Sequence, residues 1–232
     1  MNNLIERLKT VRNNLNRKRQ FEKLARMPVP WTVPAATDFM GKVLSSGEKN
    51  VLEFGGGAST LWFLEKAKKV FTYEANCQWS SQLLNYMDGR PELASRWRFY
   101  FVNCDWNIDE LGNRWWIKNG HSSTHDDLKK EMERDFLNFP YDDRVDLVFN
   151  DGSVRALTLQ LGINQLLKNP QEGYLVVDNS EKPWRDRYTK KLVPDDWKRI
   201  DFINEGYEKV DWVEDASRAT VWIKPEGYKQ KV

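Results

Sequence analysis

Residues 51–74 read VLEFGGGASTLWFLEKAKKVFTYE, and this stretch decides the fold. Val51, Leu52 and Phe54 form the short apolar run of a buried strand, and Gly55, Gly56 and Gly57 end it. Successive glycines supply backbone that tolerates positive φ and that a ligand can approach closely. Over residues 58–68 the apolar side chains Leu61, Trp62, Leu64 and Ala67 recur on one helical face, so the free amides of the first turn point into the glycine loop. Residues 70–73 predict a second strand. It delivers Glu74 at its carboxyl end, about 20 residues after the loop, where an acid in an open parallel sheet meets the ribose hydroxyls of a nucleotide-like ligand.

Dinucleotide enzymes use the same arrangement, so the details must choose. In the GxGxxG frame the loop has Gly55, Gly57 and then Thr60, without the third glycine that lets the helix pack under a pyrophosphate. NAD is the weaker reading. Glu53, two residues before the first glycine, would repel a phosphate but suits a ligand with an ammonium group, which favours S-adenosylmethionine. The segments LEFGGGAST and TYEAN resemble the first two motifs of the Rossmann-like, class I methyltransferases. That resemblance implies cofactor contacts from Glu53, Gly55, Gly56, Gly57, Ser59, Thr60 and Glu74.

The remaining elements fit the same order. Residues 37–44 predict a short helix, with Phe39, Met40, Val43 and Leu44 on one face; in enzymes resembling this chain such a helix covers the cofactor. Residues 79–87 predict a helix and residues 97–102 an aromatic strand closed by Asn103, Cys104 and Asp105. Related enzymes hold adenine at that strand end with a polar or acidic side chain, and Asp105 is the first choice here. Residues 106–141 exceed the usual helix connection and are expected to be an insertion that shapes the substrate side. A strand over 145–149 ends in Asn150, Asp151 and Gly152, a helix follows over 154–167 with Leu157, Leu161 and Leu166 inward, and a strand over 173–177 ends in Asp178, Asn179 and Ser180. Residues 207–213 and 219–223 read as an antiparallel hairpin. The expected fold is therefore α/β, a Rossmann-like three-layer sandwich on a seven-stranded, mostly parallel sheet with a terminal antiparallel hairpin. The resemblance spans residues 34–224 and is most specific at LEFGGGASTLW, FNDGSVRAL and VVDNSEKPW.

Length and composition bound the rest. A chain of 232 residues fits one such domain, residues 31–232, preceded by a basic arm over residues 1–30. That arm holds eight basic and two acidic side chains of the 36 and 34 in the chain, which leaves the body mildly acidic. Leu4, Ile5, Leu8, Val11 and Leu15 make the arm an amphipathic helix that packs on the body or on a second subunit, as in a homodimer; an anionic membrane surface or a nucleic acid is the sharper alternative. Cys77 and Cys104 have no disulfide or zinc spacing, and no apolar run reaches the length of a signal peptide or membrane span. A cytoplasmic protein without a transmembrane segment is expected. His121 and His125 stand four apart, as two metal ligands could, but Gly120, Ser122 and Ser123 are helix-starting residues and Thr124 with Asp127 resembles a capping box. The eleven tryptophans are read first as core or subunit-contact rings.

Function turns on a second acidic cluster. By the family's strand order, Asp151, Asp178 and Asn179 end neighbouring strands where the methyl group would sit, and Asp151 can touch the cofactor's methionine end or an incoming hydroxyl. Three oxygen ligands would suit magnesium, and the spacing resembles that of the catechol-type O-methyltransferases, whose cation lowers the acceptor's pKa. Where those enzymes place a lysine three residues after the first acid, this chain has Val154, and Arg155 is next. Arg155 stays protonated and can hold a carboxylate or phosphate of the acceptor. In the competing reading Asp151 meets the cofactor while Asp178 and Asn179 cap loops. The expected activity is O-methylation of a small molecule. A nucleic acid or protein methyltransferase is the alternative; nucleic acid is disfavoured by the absence of the aromatic-proline tetrapeptide after the fourth strand, where Asn150, Asp151, Gly152 and Ser153 stand. A non-catalytic nucleotide-binding protein of this fold is the third reading.

Overall fold

The computed structural model describes residues 21–23, 25–101, 105–108, 114–118, 121–123, 144–152, 155–181, 189–204 and 218–229, with side chains for all of these except 105–108, 114–118, 121–123 and 155–157. In chain order the elements are α1 (Pro34–Val43), β1 (Asn50–Phe54), α2 (Ala58–Lys66), β2 (Lys69–Glu74), α3 (Cys77–Met87), α4 (Pro91–Arg96), β3 (Trp97–Phe101), β4 (Asp105–Ile108), β5 (Arg114–Lys118), β6 (His121–Ser123), β7 (Leu147–Asn150), α5 (Arg155–Lys168), β8 (Gly173–Val177), β9 (Lys198–Ile203) and β10 (Arg218–Lys224).

Seven of these strands form one sheet in the order β3-β2-β1-β7-β8-β10-β9. The first five are mutually parallel. Only β10 runs against its neighbours, pairing antiparallel with β8 and with β9. Strand β1 is buried at all five positions and its residues alternate between the two faces. Val51 joins Val70, Leu147 and Val176 in a core packed by α1, α2 and α3, while Leu52 and Phe54 join Val148, Leu175 and α5 residues Leu159, Ile163 and Leu166 on the opposite face. Helices on both faces cover the central strands, which is why those strands read as apolar runs rather than alternating ones. Three layers result.

The expected central elements are present, with ends shifted by a few residues. Two expectations are corrected. The partner of β10 in the terminal hairpin is Lys198–Ile203, with Arg218 opposite Ile203 and Ile223 opposite Lys198. Its sequence KRIDFI carries charge on an edge strand with no fully buried residue, so it lacks the apolar signature that favoured residues 207–213, which lie outside the described residues. The second correction concerns His121 and the two residues after it, Ser122 and Ser123, which read in sequence as helix-starting. They form β6 of a separate antiparallel sheet in the order β4-β5-β6. His125 lies outside the described residues, as do the amphipathic stretch of residues 1–20 and the whole of residues 124–143. Among the described residues, no helix is long and apolar enough to cross a membrane.

The joint between α5 and the sheet is tight at Gly162. A Cβ there would stand 2.6 Å from Val148 Cγ1, and valine has little rotamer freedom with which to yield. Helix propensity alone would make Gly162→Ala stabilising by about 1 kcal/mol. Overpacking against β7 reverses the sign, and the variant should lower the unfolding free energy by about 1–2 kcal/mol in urea titration.

Candidate functional site

The sheet order reverses beside β1, since the chain goes from β1 to β2 on one side and later returns to β7 on the other. At such a point the loops leaving the carboxyl ends diverge and open a crevice. Here the two loops first touch. Gly55 has φ +98°, and a Cβ on it would lie 2.8 Å from both the Cα and the N of Gly152. A Cβ on Gly152 would reciprocally lie 2.8 Å from Gly55 N and Phe54 C. Gly56 presses the other way, since its Cβ would meet Thr72 Cγ2 at 2.8 Å and Leu83 Cδ1 at 2.9 Å. The loop is thus wedged between β7 on one side and β2 with α3 on the other.

A cavity of about 310 Å³ lies above it, lined by residues 55–59 of the loop and α2, by Glu74 and Asn76 after β2, by Trp31 and Trp79, and by Asp151 and Gly152 after β7. A larger cavity of about 790 Å³ lies between residues 21–26 and α3, with Phe21, Arg26, Tyr86 and Arg90 among its walls. It contains neither the glycine loop nor a strand-end acid, so the smaller cavity is the candidate site.

Glu74 lines that cavity and is almost fully buried. One carboxylate oxygen accepts from Gly56 N–H and the other from Asn76 N–H, each at 2.6 Å. Burial raises its pKa to about 7; the backbone amides work against that rise and the charge of Asp151 adds to it. Asn76 in turn caps α3, its side chain accepting from Gln78 N–H and Trp79 N–H. The same short segment therefore sets both the acid and the Trp79 ring.

Glu53 lies elsewhere. It is 0% exposed, in the layer beneath the loop, and is absent from the cavity wall. Its carboxyl group accepts from Ser59 Oγ, from Thr60 Oγ1 at 2.6 Å and from Thr72 Oγ1 at 3.1 Å. Thr60 Oγ1 also accepts from Gly57 N–H at 3.0 Å, and Thr72 Oγ1 accepts from the Trp97 indole at 2.9 Å. Burial pushes the Glu53 pKa up to about 8; the three hydroxyls lower it and the Glu74 charge raises it further. This acid therefore holds the glycine loop and the start of α2 onto β2.

Asp151 is partly exposed and lines the cavity, with its amide donating to Phe54 O at 3.0 Å. Asp178 does not line it. Asp178 is 2% exposed, and its carboxylate accepts from Thr32 Oγ1 at 2.5 Å. Asn179 adopts φ +48° in the turn that follows β8, a left-handed conformation that asparagine tolerates better than most residues. Arg155 is the first residue of α5, and Asp105 begins β4; their side chains lie outside the described residues, as do Asn103 and Cys104 entirely. Among the described residues, no three His, Cys, Asp or Glu side chains are grouped to hold a metal ion. Sequence reasoning missed Trp31 and Trp79, which had no signal beyond the high tryptophan count.

Glu53 gives this site a pH signature. Folded, it keeps its proton up to about pH 8, while an unfolded glutamate ionises near 4.5. Its contribution to stability is complete at low pH and is lost as pH rises through that interval, since the native state then binds more protons than the unfolded one. Glu74 acts in the same direction up to about pH 7. The melting temperature should fall between about pH 5 and pH 8, with a slope of up to about 1.4 kcal/mol per pH unit for each proton. Glu53→Gln should roughly halve the slope below about pH 7, where Glu74 still contributes, and remove it between about pH 7 and pH 8; an unchanged slope in the variant would refute the assignment.

No protein-family model matches this chain, and no curated protein matches it. Among solved structures, a candidate O-methyltransferase from Klebsiella pneumoniae superposes with a TM-score of 0.56 at 12% identity, over 91% of this chain and 90% of that one. Cofactor-bound Rv0187 from MTB superposes with a TM-score of 0.56 at 14% identity, over 92% of this chain and 90% of the other. Nearly the whole of each chain is shared at an identity too low to carry substrate or mechanism, and the sheet order above is common ground: the chain has the Rossmann-like fold of the class I methyltransferases.

Proposed function

We propose that the chain is an S-adenosylmethionine-dependent methyltransferase whose acceptor is the hydroxyl of a small molecule. The observation that carries this reading is the convergence of the glycine loop, Glu74 and Asp151 on one cavity at the point where the strand order reverses. An ionised carboxylate has about four acceptor sites, and Glu74 spends one per oxygen on the backbone amides. The others suit the two ribose hydroxyls of an adenosyl group. Residues 55–57 line the cavity and would present backbone to the ligand, and residues 103–105 are assigned to the adenine side.

S-adenosylmethionine supplies a methyl group on a positively charged sulfur. Asp151 lines the cavity across the loop from Glu74 and would take the acceptor's proton as the acceptor oxygen accepted the methyl group. Fixing the acceptor oxygen in line supplies most of the remaining rate. Arg155, at the start of α5, is assigned to an anionic group on the acceptor. Asp178 already holds Thr32 and serves the metal-free version. A magnesium version would need Asp151, Asp178 and Asn179 to share one cation.

Calorimetry with S-adenosylmethionine and with its demethylated product tests the cofactor reading. Saturable binding of both is expected, and binding of NAD in their place would overturn it. Glu74→Ala should weaken binding by about 10- to 100-fold through the loss of charge-assisted hydrogen bonds to ribose. On an acceptor identified by screening metabolite extracts with labelled cofactor, Asp151→Asn should slow turnover by a factor of about 100 or more while cofactor affinity changes little. Activity lost to a chelator and restored by magnesium would support the cation version. Cofactor binding without transfer to any extract component would leave a non-catalytic binding protein.

A further inference from the structure

Part of the cavity wall comes from a segment that precedes α1. Trp31 and Thr32 follow Pro30, whose carbonyl accepts from Thr32 N–H at 3.0 Å. Val33 and Ala36 then anchor the segment in a small core with Ala219 of β10. From this anchor two adjacent side chains reach in opposite directions. The Trp31 ring packs edge-on against Trp79, with centroids 6.0 Å apart and an interplanar angle of 86°. The Thr32 hydroxyl donates to Asp178 at the end of β8. Trp79 stands beside β2 and Asp178 after β8, three strand spacings or about 14 Å across the sheet. Residues 31–32 therefore tie the cavity wall at Trp79 to the end of β8.

The two indoles mark one end of it. Trp79 lies on the first turn of α3, three residues past the cap Asn76 and five past Glu74, whereas Asp151 and Gly152 bound the cavity on the β7 side. Both tryptophans are half-buried and line the cavity. We infer that Trp31 and Trp79 are the stacking walls for the adenosine half of the ligand, and that the Thr32–Asp178 hydrogen bond fixes Trp31 in that place. This rests on the cofactor reading above and assigns Asp178 to cofactor binding through Trp31. A flat purine offers indole a π face, and such contacts weaken about 5- to 150-fold when the aromatic side chain is cut to alanine.

The probes are S-adenosylmethionine, its demethylated product and adenosine, titrated by calorimetry and by quenching of tryptophan fluorescence. Trp31→Ala should weaken all three by a similar factor of about tenfold or more, because they share the nucleoside and differ at sulfur. Trp31→Phe should recover most of the loss. Thr32→Val, which keeps shape and removes the donor, should weaken all three by about threefold. Circular dichroism melts of the ligand-free variants separate a folding defect from a binding defect. Wild-type affinity in Trp31→Ala overturns the inference while leaving the cofactor reading intact. A loss confined to the sulfonium form overturns it too, by placing the ring against the charged sulfur. Failure of the wild-type chain to bind any of the three overturns the cofactor reading and this inference with it.

Discussion

A carboxyl group without access to water sits where the sheet, the glycine loop and the first covering helix meet, and the shape of the site depends on it. Glu53 faces Thr72 directly across the β1–β2 pair, so register alone brings their side chains together. Ser59 and Thr60 arrive from the first turn of α2 and complete the ring of donors. A buried carboxylate is tolerated only when it is hydrogen-bonded, and one that can stay protonated is tolerated more readily. Both conditions hold here. The result is that the helix cannot lift from β2 without exposing a polar group to an apolar layer, and the loop between them is held by its support rather than by its ligand.

Contact between glycines sets the other dimension. Gly55 and Gly152 meet backbone to backbone, so the carboxyl ends of β1 and β7 approach as closely as two chains can before they part around the crevice. With Gly56 set against Thr72 and Leu83, the loop has no room to shift toward either neighbour. Rigid backbone of this kind pre-pays the ordering that a ligand would otherwise require. The cavity's two acids, Glu74 and Asp151, are then spaced by the loop itself. In the proposed function one of them holds hydroxyls and the other meets the reacting group.

Three acids that look alike in sequence acquire three roles from burial. Glu53 is fully enclosed and structural, Glu74 is nearly enclosed but faces the cavity, and Asp151 is partly open beside it. A fourth, Asp178, is enclosed by a threonine from the far end of the chain. The aromatic residues divide in the same way. Trp97 donates into the Glu53 network, and Trp62 packs in the core, whereas Trp31 and Trp79 line the cavity.

Residues 51–74 by themselves determined the strand, loop, helix and strand, because apolar periodicity and consecutive glycines are local signals that survive in any packed context. The same holds for β7, α5 and β8, each an apolar run ended by polar residues. Glu74 and Asp151 could be placed beside the crevice because a strand's carboxyl end is visible in sequence. What a side chain meets there is not. Glu53 was expected to face an ammonium group, and the structure turns it inward because Thr72 stands opposite it in register and α2 folds back over both. The edge strand Lys198–Ile203 escaped detection because an edge needs charge more than an apolar face, and β6 escaped because a histidine and two serines carry no strand signal of their own. Thr32 and Asp178 are 146 residues apart, so only the closing of the sheet could bring that donor to that acceptor and set Trp31 over the cavity.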